Sequence, residues 1–166
     1  NEGSNKLHLY KSFTAEDTTA CSFVNYNAGR VEATIDLWST VNSPFAVSVG
    51  VIDTASGDTL GRTPWYNSSA TGVYDDSIYL DKTYCEFACN GTNPFNNRQN
   101  ITLTLTNRPI ATDTYRVVLF LKSTTQANVH VWSDRVTFVS DGLPGVTDGN
   151  TDCAVGEIGG TANSII

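Results

Sequence analysis

Two histidines, His8 and His130, and four cysteines, Cys21, Cys85, Cys89 and Cys153, are the side chains best suited to act as base, nucleophile or metal ligand. A Ser–His–Asp arrangement needs a histidine that reaches a serine and a carboxylate together. His130 alternates with Val129 and Val131, which places it on the opposite face of a strand from them. His8 lies in the alternating "KLHLY" and is expected to face solvent. Neither adjoins a nucleophile-elbow motif, so both read as structural. The cysteine spacing fits no zinc pattern, because no second pair or nearby histidine completes a tetrahedral set. Cys85 and Cys89, in "YCEFACN", either bridge a short loop in an oxidising compartment or remain buried free thiols. A bridge needs Cα atoms within about 7 Å. An extended strand separates residues four apart by about 13 Å, so a bridge requires a turn over residues 86–88. Cys21 and Cys153 could also pair, and the sequence does not fix connectivity.

Oxygen ligands gather near the end of the chain. Asp141, Asp148, Asn150 and Asp152 fall in one Gly-rich loop, "DGLPGVTDGNTD", of the kind calcium uses. The spacing is not that of an EF-hand, and acidic Gly-rich loops are more often solvated turns, so no metal is assigned. Glutamate is scarce and no carboxylate pair suits glycoside chemistry; Asp75-Asp76 reads as a turn or strand start. Asn67-Ser-Ser, Asn90-Gly-Thr and Asn100-Ile-Thr are acceptor sequons that matter only in a eukaryotic secretory setting. Trp38, Trp65, Tyr66, Tyr84 and Trp132 could form a sugar platform, although aromatics in a sandwich usually pack in the core or at edges. Trp65-Tyr66, beside Pro64, is the pair most expected to be exposed.

The elements that must position these groups follow from the pattern of apolar residues. "VEATIDLW" sets Val31, Ala33, Ile35 and Leu37 against Glu32, Thr34 and Asp36. "FAVSVGVI", "ITLTLTN", "TYRVVLFLK" and "NVHVWSDRVTFV" repeat the period of two. This is the signature of half-buried antiparallel strands, and no segment carries a capped helical stripe. Turn signals such as "DTASGDT", with Gly57-Asp58 at its apex, separate about eight or nine short strands. The expected fold is an all-β, antiparallel two-sheet sandwich of jelly-roll type. After Val139 the chain turns rich in Gly and Asp and loses its period. The 166 residues suit one domain, and a net charge of −7 disfavours nucleic acid and anionic membranes as partners. No apolar run is long enough to span a bilayer.

Both ends of the chain resemble landmarks of one family. Asn1-Glu2-Gly3 resembles the end of the "A-A-G-N-E-G" stretch of subtilisin-like serine proteases. Gly160-Thr161-Ala162-Asn163-Ser164-Ile165-Ile166 is similar to the "G-T-A-K-N-V-I" stretch that precedes the nucleophilic serine in that family. Some bacterial members, clostridial germination proteases among them, carry a jelly-roll domain between these landmarks. The resemblance implies that residues 1–5 are a remnant of the protease core and residues 6–140 an inserted sandwich. Residues 141–166 would be an irregular exit loop and a remnant core strand. Asn1 would match the oxyanion-hole asparagine, inactive without its surroundings, while the Asp, His and Ser motifs of the family are absent. The implied role is non-catalytic, in an extracellular or cell-surface enzyme. The implied partners are its own catalytic domain and a protein substrate, with no cofactor. A carbohydrate-binding or adhesion module is the alternative, which does not explain the two end stretches.

Overall fold

The computed structural model describes residues 8–14, 17–25, 32–78, 83–106, 114–134 and 136–139. Sequence alternation becomes alternation of burial. In β3 (Ala33–Ser39), Ala33, Ile35, Leu37 and Ser39 are buried while Thr34, Asp36 and Trp38 are not. The same holds for Ile101, Leu103 and Leu105 in β9 (Gln99–Thr106). The other strands are β1 (His8–Phe13), β2 (Asp17–Asn25), β4 (Ala46–Asp53), β5 (Thr59–Arg62), β6 (Tyr66–Asn67), β7 (Thr71–Ile78), β8 (Thr83–Thr92), β10 (Tyr115–Ser123), β11 (Ala127–Ser133) and β12 (Val136–Val139). No helix occurs among the described residues.

The strands form two antiparallel sheets. The first has the order β1-β11-β3-β9-β8-β7; the second runs β12-β2-β10-β4-β5, with β6 also paired to β4. The chain is a long hairpin rolled up on itself: β1 pairs with β11, β2 with β10 and β3 with β9. Successive strands β1, β2, β3 and β4 then alternate between the sheets, which is jelly-roll topology. The inner faces meet in one core, where Phe13, Phe45, Phe87 and Phe138 are the largest fully buried side chains. A smaller cluster of Ala20, Ile52 and Val118, with Phe120 against it, lies on the outer face of the second sheet.

The described residues hold twelve strands, more than the eight or nine expected. Two of the additions, β5 and β6, have four and two residues. The third, β7, is the last strand of the first sheet and exposes most of its side chains, Val73 to 63%. An edge strand with little to bury has no alternation to display, so "TGVYDDSI" resembles a turn in sequence. The "DTASGDT" turn forms as expected: Asp53 Oδ1 accepts hydrogen bonds from the N–H groups of Ala55 and Ser56, both at 2.8 Å, and Gly57 takes φ 79°. Those two N–H bonds hold the Asp53 carboxyl below its ordinary range.

Candidate functional site

The pairing of β1 with β11 sets His8 beside Trp132 and Tyr10 beside His130 on the outer face of the first sheet. The pairing of β11 with β3 extends the row to Trp38 and Asp36. His8 stacks on Trp132, with centroids 3.8 Å apart and planes 17° from parallel. His8 Nε2 and His130 Nδ1 are 3.2 Å apart. Their planes differ by 7° with centroids 5.4 Å apart, so the two rings meet edge to edge through their nitrogens. Tyr10 leans on His130 at 4.9 Å. Asp36 anchors the polar end of the row. Its Oδ1 accepts from Asn100 Nδ2 at 2.7 Å and Thr102 Oγ1 at 3.0 Å, and its Oδ2 from Trp38 Nε1 at 2.5 Å.

His8 does not face solvent as expected from "KLHLY"; it is 4% exposed. The alternation holds, but the partner that covers the ring comes from a strand more than a hundred residues away. Burial, and then the neighbouring His130, push His8 down to about 4. His130 is also lowered, by burial and then by Arg98. Among the described residues neither imidazole bonds a serine or a carboxylate. The row is a set of aromatic rings packed on one another, with the N–H of Trp38 taken by Asp36 and the nitrogens of the two imidazoles facing each other.

Cys85 and Cys89 lie on one continuous strand, β8, and both point into the core. There is no turn over residues 86–88, so the bridge considered from the sequence is not formed; Cys85 and Cys89 are buried free thiols, and Cys21 is buried too. Burial, then the Asp76 carboxylate, push the Cys85 thiol up to about 12. A thiol held protonated in this way is a small core residue and a poor nucleophile. Cys153 lies outside the described residues.

The five aromatics do not form one platform. Trp38 and Trp132 belong to the row on the first sheet, and Tyr84 lies further across that face. Tyr66 turns inward, its ring 4.1 Å from Phe87 and 5.3 Å from Tyr74, with its hydroxyl donating to Asp76 Oδ2 at 3.0 Å. Trp65 lies half-buried beneath two cations, the Arg62 guanidinium at 5.0 Å and Lys122 Nζ at 4.4 Å from the ring centroid. Of the sequon asparagines, Asn100 is 5% exposed and donates to both Asp36 and the Leu37 carbonyl, which leaves no room for a glycan. Asn67 and Asn90 are exposed.

Asn1, the weak calcium candidates Asp141, Asp148 and Asp152, and the terminal Ile165 and Ile166 lie outside the described residues. Among the described residues no group of three or more His, Cys, Asp or Glu side chains is placed to hold a metal ion. No helix there is long and apolar enough to cross a membrane. No family model and no curated protein matches the chain. Among solved structures, the CspB protease of Clostridium perfringens aligns over 84% of this chain with a TM-score of 0.58 and 16% identity. The chain spans 28% of the length of that protein. At this identity the likeness is one of fold: the sandwich has the architecture of part of a larger protease chain.

Proposed function

We propose that this chain is a non-catalytic jelly-roll insert of an extracellular subtilisin-like serine endopeptidase, and that it braces the catalytic domain or shapes substrate access. The observation that carries the reading is the fold likeness to a protease chain of which this sandwich would make up only a part. Topology supports it. β1 is the outermost strand of one sheet and β12 the outermost strand of the other, and β2, joined directly to β1, lies next to β12. The chain therefore enters and leaves the sandwich along one side margin, as an insert must. The two end motifs support the family, with Asn1 in the place of the oxyanion asparagine. The aromatic row begins at His8, where β1 starts, and this is the face that the reading turns towards the catalytic domain.

The test is the reading frame around this chain. Asp and His motifs of the subtilase type are expected before Asn1 and a Gly-Thr-Ser motif after Ile166. In that enzyme, replacing residues 8–139 by a short Gly-Ser linker should leave the triad able to label with a serine-directed phosphonate while lowering thermal stability or altering substrate choice. A surrounding frame without those motifs, or a linker variant unchanged in both properties, would defeat the reading.

A further inference from the structure

The two outer faces of the sandwich carry opposite charge. The first sheet turns Asp36, Asp75 and Glu86 outward on β3, β7 and β8, and no lysine or arginine occupies an outward position of its strands; Arg98, in the loop before β9, lies near His130 of that face. The second sheet turns Arg62, Arg116 and Lys122 outward on β5 and β10, with no carboxylate on the outward positions of β2, β4, β5 and β10. In a chain of net charge −7 this is a local reversal. Arg62 and Lys122 share a single mount. Both lie within cation–π distance of Trp65, and Arg62 also lies 5.6 Å from the Phe120 centroid. No ion pair of either with a carboxylate is found among the described residues.

We propose that Arg62 and Lys122, held on Trp65, are a docking site for the carboxylates of an extended acidic peptide segment of a partner protein, laid along β5. The charge selects an anion. A cation resting on an indole keeps its outward N–H groups free for carboxylates, while its aliphatic stem is fixed. The engaged ring argues against a neutral sugar, which needs a bare aromatic face. The extended form follows from β5. It ends the order of its sheet among the described residues, and Thr59, Leu60 and Arg62 on it are exposed. A segment beside it can pair with the strand backbone while its acidic side chains reach the two cations.

Calorimetric titration of the 166-residue chain with a ten-residue peptide alternating Glu and Thr tests this. Saturable binding is expected that weakens steeply as salt is raised. R62Q and K122Q should each weaken it by roughly three- to tenfold, and the double variant should abolish it. Both side chains lie on the outer surface, so far-ultraviolet circular dichroism should be unchanged. The charge-swapped R62E/K122E variant should instead bind a Lys–Thr peptide of the same length. Equal binding of a Gln–Thr peptide, or binding unaffected by the double variant, would overturn the proposal. Tighter binding of inorganic polyphosphate than of the acidic peptide at the same two residues would overturn the choice of a peptide partner.

Discussion

A hydrogen bond between two imidazoles holds only while both rings are neutral. One nitrogen must donate and the other accept, and His8 Nε2 and His130 Nδ1 face each other at 3.2 Å. His8 Nδ1 is buried without a partner, which favours the tautomer with the proton on Nε2, because a bare lone pair is cheaper to bury than an unpaired N–H. A second proton would set N–H against N–H in a half-dry place, with Arg98 adding repulsion to His130. Asp36, across from Trp132 in the register, spends its oxygens on Trp38, Asn100 and Thr102. His8 titrates at about 4 in the folded chain, against an ordinary value of 6.5 when the chain is unfolded. The unfolded chain therefore binds more protons between these values, and stability present above 6.5 is lost as pH falls towards 4. After allowance for solvent screening the loss is about 1–2 kcal/mol. In proton NMR both imidazoles should keep neutral shifts as pH drops from neutrality past 6.5, and His8→Asn should flatten the fall in melting temperature. Either ring titrating at its ordinary value would show that the pair is open. The thiols make a simpler case. Cys21, Cys85 and Cys89 are buried, and the Cys85 thiol is held protonated up to about 12. Iodoacetamide at mildly alkaline pH should leave all three unlabelled in the native chain and label them in guanidinium chloride. A Cys85–Cys89 disulfide in the peptide map would contradict the continuous strand.

Among the elements, β4 is buried on both faces, and this depends on Gly50. A Cβ there would lie 2.7 Å from Phe120 Cε2 and 3.1 Å from the Gly61 carbonyl oxygen. The missing side chain lets the Phe120 ring lie across β4 and lets β5 approach. Gly50→Ala should destabilise the chain by about 1–3 kcal/mol, as overpacking does. In a Phe120→Ala background the cost should shrink, because the closest clash is gone and the Gly61 carbonyl and Arg62 Cγ, at 3.1 and 3.3 Å, remain; coupling of the two sites is expected. Denaturant melts of the four chains measure it, and strict additivity would mean that Phe120 does not pack over Gly50. Gly50 also marks the limit of what the sequence discloses. β3, β9 and β11 are legible because their inner residues alternate mostly with polar ones, and β4 and β10 because their inner residues recur with a period of two even where the outer face carries Ile52, Val118 and Phe120. β7 is not, since an edge strand loses the contrast. Tyr66 follows Pro64 and Trp65 in a loop-like stretch that suggests exposure, yet the two residues of β6 suffice to turn it against Phe87. The His8–His130 pair is hidden for another reason: each ring's surroundings are set by strand order, which local pattern does not carry.

For the whole molecule, the pairings that close the roll are also the most distant in sequence. β1 meets β11, with Leu9 opposite Val131 and Phe13 opposite Ala127. Bringing such strands together costs loop entropy before any contact repays it, so folding is expected on the slow side, in milliseconds to seconds. It also makes β1 separable in a way that a central strand is not. β1 is outermost, joins the rest through the short stretch 14–16, and fully buries Leu9 and Phe13. Those two side chains contribute roughly 1.5–3 kcal/mol each, a large part of the roughly 5–15 kcal/mol typical of a domain. Without β1 the ladder groups of β11 are open, His130 has lost its imidazole partner and Trp132 its stacked ring. A chain beginning at residue 14 should therefore fail to reach the native near-ultraviolet spectrum and should self-associate through the β11 edge. A synthetic peptide of residues 5–13 added in trans should restore the spectrum in a saturable way, because it supplies the missing strand in the register that places His8 on Trp132. A peptide with Leu9 and Phe13 replaced by serine should not. If the shortened chain is monomeric and native-like alone, or if the serine peptide rescues it equally, β1 is an accessory strand, and the closure of the roll does not depend on the pairing of its first strand with β11.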